Sequence, residues 1–410
     1  MPLTRQTCAE LDSEDALAPA RARFDLPEGL IYLDGNSLGA LPKAVSRRVA
    51  AVVQEQWGRD LIRSWNAHDW IGLPARVGAR IAALVGAEPE AVVAADSTSV
   101  NLFKLAAAAL RLQAPRRVVL TEKGDFPTDV YILQGLAEFI GGGLELRIVE
   151  RDALAEALNR DVALLLLSHV HYKTAAAHDM AALGARAHAA GALTLWDLSH
   201  SAGVLDVRLG RDEADFAVGC GYKYLNGGPG APAFLYVAPR LQEAFRSPLS
   251  GWMGHARPFG FEGDYHPAAG ALRGLCGTPP VLSLAALDEA LGVFEGLSMG
   301  ELERKARSLG DLFIALVEQR CPEMVLASPR HGAERGGHVS FAHPHGYPIM
   351  QALIDAGAVG DFRAPDILRF GFSPLYLRYV DLWDAVDRLA AILSDGSWRE
   401  PHFNNPAMVT

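Results

Sequence analysis

Three stretches hold residues whose types and spacing could do chemistry. "GYKYLNGG" (221–228) sets Lys223 between two tyrosines, straight after the apolar run "ADFAVGC" and before a glycine-rich turn. "LTLWDLSH" brings an apolar run to its end on Asp197. "DSTSVN" (96–101) offers the hydroxyls of Thr98 and Ser99, with backbone N–H groups, at an expected helix start, a ready anion site. A lysine desolvated beside a sheet can become a nucleophilic amine and form a Schiff base with an aldehyde. A carboxylate as near the core as Asp197 needs a cationic or proton-donating partner to stay ionised. Singly, each has a plain reading: an ordinary N-cap, a structural ion pair, a surface lysine at a strand end. Together they meet the demands of pyridoxal phosphate, whose phosphate needs N–H donors, whose ring nitrogen needs an acid and whose aldehyde needs an amine.

The elements that must position these groups are written in the hydrophobic pattern. From about residue 90 to 240, short β-branched runs ("AVVAAD", "RRVVLTE", "LELRIVE", "VALLLLSHV", "LTLWDLS") alternate with Ala-rich helical stretches. This βαβ rhythm predicts an α/β fold with a mostly parallel central sheet covered by helices on both faces, and a site beyond the carboxyl ends of the strands. Residues 43–85 read as two helices before the sheet. A long helical stretch (283–320), "HVSFAH", a helix at 348–357, "ILRFGFS" and a final helix from 380 predict a smaller α+β domain built from the chain ends. The expected division is 1–60 as an N-terminal arm and helix, 61–285 as the large domain and 286–410 as the small one. The Gly/Pro-rich segment 248–280 reads as a long irregular loop, of the kind that serves function or covers an interface.

Composition narrows the classes. The chain has 410 residues, 50% hydrophobic and 21% charged, and 38 basic against 48 acidic residues give a net charge of -10. No basic stripe is present to track a phosphate backbone, so nucleic acid is not an expected partner. The apolar run "VALLLL" is too short to span a bilayer, and the N-terminal stretch carries acids, so the expected setting is cytoplasmic, away from membranes. Cys8, Cys220, Cys276 and Cys321 are widely spaced, which predicts free thiols and no metal site. His169 and His171 in "SHVHYKT" read as one pocket neighbour and one surface histidine, and "HPHGYP" (343–348) as a turn. Trp57 and Trp70 fall in helical patterns and read as core. The fingerprints GxGxxG, GxxxxGK[ST] and GxSxG are missing where competing sheet enzymes would carry them.

The motifs "YLDGNSLG" (32–39), "STSVNLF", "FPTD", "WDLSHSAG", "GYKYLNGGPG", "GWMGH" (251–255) and "RFGFSPLY" (369–376) resemble those of the kynureninases, and the resemblance covers nearly the whole chain. Kynureninases are pyridoxal-phosphate hydrolases of the aspartate-aminotransferase fold, fold type I. The resemblance implies that Lys223 bonds the cofactor aldehyde and later moves protons on the substrate carbon. It implies that Asp197 pairs with the ring nitrogen, with His200 beside it, and that Thr98, Ser99 and Tyr222 hold the phosphate, the Tyr222 phenol also serving as a general acid. Phe126 would stack on the ring, with Asp129 and Ser168 as further cofactor contacts. Trp252 and Thr278 would reach the phosphate of a partner subunit, which implies a homodimer with shared sites. Arg369 would bind the substrate α-carboxylate, and Trp65 would face its aromatic end.

The implied reaction, a step of tryptophan catabolism, cleaves the bond between the β and γ carbons of L-kynurenine with water, giving anthranilate and L-alanine. The animal enzymes have histidine at the Trp65 position and asparagine at the Thr278 position, a difference that favours kynurenine over its 3-hydroxy derivative. Three other readings stand beside this one. A cysteine desulfurase or selenocysteine lyase needs a mobile nucleophilic cysteine in the C-terminal part, where the last cysteine is Cys321; an aminotransferase needs a second half-reaction. A binding protein on a degenerate fold would have lost Lys223, Asp197 or Arg369, and all three are present.

Overall fold

The computed structural model describes residues 2–405; residues 1 and 406–410, the outermost ends of the expected terminal segments, lie outside the described residues. In chain order the strands are β1 (Ile31–Tyr32), β2 (Val92–Ala94), β3 (Val118–Glu122), β4 (Glu145–Val149), β5 (Val162–Ser168), β6 (Leu193–Asp197), β7 (Phe216–Cys220) and β8 (Ala233–Val237). They continue with β9 (Val325–Leu326), β10 (His338–Ala342), β11 (Ala358–Val359), β12 (Asp361–Arg363) and β13 (Ile367–Gly371).

The apolar runs form one seven-stranded sheet, in the order β2-β8-β7-β6-β5-β3-β4, buried on both faces except along the partly exposed edge strand β4. Alternation along each strand sends successive residues to opposite sides. Leu165 and Leu167 pack into one core with Trp196, while Leu164 and Leu166 join the other with Leu102 and Leu105 of helix Thr98–Leu112. The pairs β4–β3, β3–β5, β5–β6 and β6–β7 are parallel, and β8 runs antiparallel to both β7 and β2. The carboxyl ends of β3, β5, β6 and β7 therefore share one edge. Helices Pro127–Phe139 and Met180–Ala189 are the crossovers that the parallel pairs β3–β4 and β5–β6 require, and helix Thr98–Leu112 carries the chain from β2 across the sheet to β3.

A second, four-stranded antiparallel sheet has the order β12-β13-β10-β9, backed by helices Met299–Arg320 and Gly346–Asp355, with helix Tyr379–Asp395 packed on both of them. The N-terminal arm joins this part of the molecule, because β1 pairs in parallel with β11. No helix among the described residues is long and apolar enough to cross a membrane.

Residues 43–85 depart from two plain helices. Helix Lys43–Ala51 widens into a π-helix over Val52–Asp60 and stops at Leu61, whose φ of 52° is left-handed; short turns then lead to helix Leu73–Leu84. Widening turns the helix face, and Trp57, expected in the core, is 57% exposed. Trp70 is half-buried, with its indole N–H donating to Gln56 Oε1 at 2.9 Å. Segment 248–280 is irregular apart from short 3₁₀ turns such as Trp252–Gly254 and Gly270–Gly274.

Candidate active site

Register sets the site. Ser168 at the end of β5 stands beside Asp197 at the end of β6, and Asp197 beside Val218 of β7. Above this edge lies a cavity of about 300 Å³, at the small end of the range for small-molecule sites. Its walls carry Thr98, Ser99, Phe126, Asp129, Ser168, Asp197, His200, Tyr222 and Lys223, all of them singled out from the sequence.

At one end, helix Thr98–Leu112 starts with its N-terminus on the cavity. Ser97 caps it, Oγ accepting from Val100 N at 3.3 Å, so the free N–H groups of the first turn remain for an anion. Opposite, β7 ends at Cys220 and the chain turns sharply through residues 221–227. Asn226 N donates to Lys223 O at 2.8 Å and Gly227 N to Gly221 O at 2.9 Å. The "YLDGNSLG" arm braces this turn, with Gly39 N donating to Tyr222 O at 2.8 Å. A Cβ at Gly39 would meet Lys223 O at 2.3 Å, so only glycine lets the arm come this close.

Acids outnumber the amine here. Asp197 Oδ1 accepts from Ser199 N at 2.8 Å, yet burial pushes its carboxyl up against the opposing pull of Ser199 and Lys223. Asp129 is 0% exposed, and both of its carboxylate oxygens lack a partner. Burial, then repulsion from Asp197 and Asp125, drives it well above the usual carboxylate range. Two buried acids without cationic partners, facing a helix start and an amine, fit a ligand with a protonated ring and a phosphate. Pyridoxal phosphate is such a ligand.

Lys223 Nζ lies 3.0 Å from His200 Nε2, which is also 3.2 Å from Asn36 O. Burial, reinforced by Lys223 and then His338, holds His200 well below its usual value, so it is neutral. Lys223 Nζ is 5.9 Å from the ring centres of both Phe126 and Tyr222. Burial pushes the Tyr222 phenol upward, keeping it protonated.

Four expected site residues do not line this cavity: Arg369, Trp65, Trp252 and Thr278. Arg369, on β13, is 2% exposed; Nε donates to Asp361 Oδ1 at 2.8 Å, NH2 donates to Asp361 Oδ2 and, at 3.0 Å, to Ser37 Oγ, and NH1 donates to Tyr172 O at 2.6 Å. Tyr172 itself lines the cavity, so the arginine touches the site through that carbonyl. Trp65 is half-buried with its ring edge-on to Trp70. Trp252 packs against Phe259 and Phe261, and Thr278 is exposed.

Neither strand-exit histidine lines the cavity itself; each flanks residues of its wall, His169 between Ser168 and Val170 and His171 between Val170 and Tyr172. His169 lies under Trp196, where burial lowers it to about 4, and His171 Nε2 is 2.8 Å from Gly124 O. The pocket histidine is His200. Sequence reading passed over Asp125, which accepts from Phe126 N and Ser168 N, both at 2.8 Å, and Asp361, the partner of Arg369. Asp125 stands within the strand exit "KGDFPTD" and carried a signal; Asp361 showed one only through its pairing opposite Arg369 across β12 and β13.

Residues 302–389 match the kynureninase C-terminal domain. Among solved structures, the apo cysteine desulfurase of Thermococcus onnurineus superposes with a TM-score of 0.79 at 20% identity, covering 92% of this chain and 98% of that one. A C-DES mutant with glycine covalently linked to its PLP cofactor gives a TM-score of 0.79 at 19% identity, covering 90% and 98%. These likenesses establish the fold as type I. Kynureninase from Pseudomonas fluorescens is 51% identical over 414 residues, which span 99% of this chain and 100% of that protein. With that identity across its whole length, the chain belongs to the kynureninase family.

Proposed function

We propose that this chain hydrolyses L-kynurenine to anthranilate and L-alanine with pyridoxal phosphate as its cofactor. The observation that carries the reading is the meeting of Lys223, Asp197 and Asp129 with the start of helix Thr98–Leu112 on one cavity. When bound, the cofactor supplies an electron sink for bond breaking next to the substrate α-carbon. Thr98 and Ser99 would hold its phosphate, with Tyr222; Asp197 would face the ring nitrogen, Phe126 the ring, and Asp129 and Ser168 its polar edge. Lys223 would bond the aldehyde, and its amine would move the proton at the substrate α-carbon. Neutral His200, with Nε2 3.0 Å from the Lys223 amine, keeps it aimed. Protonated Tyr222 is the general acid. The oxygen of the added water ends in the anthranilate carboxylate, and a proton replaces the γ-carbon on the β-carbon of alanine.

Arg369 is read as the anchor of the α-carboxylate, supported by a planar fork already immobilised on one edge by Asp361. Trp65 is assigned to the aromatic end of the substrate, with kynurenine preferred to its 3-hydroxy derivative. Trp252 and Thr278 are assigned to a partner subunit's phosphate in a cytoplasmic homodimer; exposed Phe259 and Phe261 beside Trp252 support a covered surface there. The division into an arm (1–60), a large domain (61–285) and a small domain (286–410) belongs to the same reading. A desulfurase is disfavoured by Cys321, which is buried at a helix end with its thiol pushed up to about 12 by burial.

The test is to add L-kynurenine to the purified protein, follow anthranilate fluorescence and measure alanine. One alanine per anthranilate is expected. Sulfide from cysteine, or an oxo acid in place of alanine, with no anthranilate formed, would overturn the reading.

A further inference from the structure

Lys104 is a lysine where a core residue belongs. It lies on the inner face of helix Thr98–Leu112 among Leu102, Leu105 and Ala108, and its side chain is 0% exposed. Burying an ammonium costs several kcal/mol unless close partners offset it. Lys104 Nζ has two: it donates to Asp96 Oδ2 at 2.5 Å and to Gly274 O at 2.7 Å.

Asp96 is the residue on which the chain leaves β2 for the helix, and its φ of 51° is left-handed, a conformation that non-glycine residues rarely adopt. One turn back on the same face, buried Asn101 donates Nδ2 to Ala95 O at 2.8 Å. From the other side β8 takes the same turn, Ala95 N donating to Ala233 O at 2.8 Å and Ala233 N to Asp96 O at 2.9 Å. The helix thus reaches back over its own first turn with two side chains and fixes the residues that precede its cap, Ser97. A left-handed residue there sets the direction in which the helix starts, and so where the N–H groups of Thr98 and Ser99 point. Gly274 adds a tie to the segment that leads to Thr278.

We propose that Lys104 is a positioning residue for the cofactor phosphate, holding Asp96 in its left-handed turn so that the helix start faces the cavity. This rests on the reading that Thr98 and Ser99 take the phosphate. Of the two groups it holds, Asp96 directly precedes the helix cap Ser97, and Gly274 lies against Leu235 of β8.

The experiment strips the cofactor from the full chain and titrates it back, comparing pyridoxal phosphate with pyridoxal, which lacks the phosphate, by protein fluorescence. Lys104→Met should weaken pyridoxal phosphate about tenfold, the size of one charge-assisted hydrogen bond, and leave pyridoxal unchanged. Adding Asp96→Gly to that variant should recover most of the loss, because glycine adopts the turn without the brace. Asp96→Asn should move the same ratio in the same direction, and it decides the matter if Lys104→Met yields no folded protein. Thr98→Ala serves as the reference. If it keeps the full preference for pyridoxal phosphate, the phosphate reading itself fails. If Thr98→Ala loses the preference while Lys104→Met and Asp96→Asn retain it, or if the double variant binds no better than Lys104→Met, the role of Lys104 is overturned.

Discussion

Lys223 and Arg369 are cations with opposite surroundings. Lys223 stands half-buried on a turn at the end of β7, and its ammonium meets one neutral histidine. Arg369 is buried on β13 with a carboxylate on one edge of its fork, a hydroxyl beside it and a backbone carbonyl on NH1. A group that must exchange bonds and carry protons cannot be tied down, whereas a group that must present one geometry gains from being saturated on every side but one. The molecule draws the two from different layers: the turn from the parallel sheet's edge, the fork from the antiparallel sheet.

The sharpest break in this comparison is Lys223→Ala. With only His200 beside the amine, its removal should leave the melting temperature of the cofactor-free protein near that of the parent while anthranilate production in the reconstituted protein falls about 10³-fold, within the range for a lost proton-transfer group. Retained turnover would sink the cofactor assignment. A large loss of stability would show that Lys223 is structural, like Arg369.

Arg369→Leu should act on both properties. It leaves Asp361, 1% exposed, with Arg363 NH2 at 2.9 Å as its remaining cation, so the loss of stability should fall short of the about 3–5 kcal/mol of a fully unpaired buried charge. The Michaelis constant for kynurenine should rise about 30-fold, the worth of a lost charged contact, with kcat less affected. Arg369→Leu with Asp361→Leu should recover the stability but not the Michaelis constant. A double variant that recovers both would mean that substrate never uses the guanidinium.

The two regions also differed in how far they could be read. Asp197, Lys223 and Thr98 follow apolar runs that are buried on both faces, so the break from apolar to polar marks the strand end and, in a parallel sheet, the site. Thr98, Ser99, Asp197 and Lys223 were legible on that rule, whereas Phe126, Asp129, Ser168, His200 and Tyr222 came only through the resemblance to the kynureninases. Asp361 was not legible, because its pairing with Arg369 depends on the register of a short antiparallel pair that the sequence "DFRAPDILRF" does not announce. Trp57 failed for a related reason: "VVQEQWGRD" has helical composition, and whether its bonds close a normal or a wide turn is decided by packing around it. Lys104 sits in an Ala-rich helical run that predicts the helix but not which face a lysine takes.

A single substitution tests whether Arg369 serves one carboxylate or two. Asp34 lies in the same cluster, with Oδ1 buried and unpartnered; burial, then repulsion from Asp361, pushes its carboxyl up to about 7. Burial also opposes ionisation of Asp361, but the hydrogen bonds and charge of Arg369 outweigh it and hold that carboxyl down to about 2. Asp361 therefore contributes stability that is present above the ordinary carboxylate range and is lost as pH falls toward about 2. Asp34 runs the other way. Near pH 4 and below it costs nothing; as pH rises from about 4 to about 7 the unfolded chain ionises first and stability falls; above that the penalty is constant. Asp34→Asn should therefore match the parent in urea unfolding at about pH 4 and exceed it at about pH 8 by a few kcal/mol, at about 1.4 kcal/mol for each pH unit by which burial raises the carboxyl. Equal stabilities at the higher pH would mean that Asp34 ionises without cost, that Arg369 balances two acids, and that the fork has less charge to offer a substrate than its pairing with Asp361 alone implies.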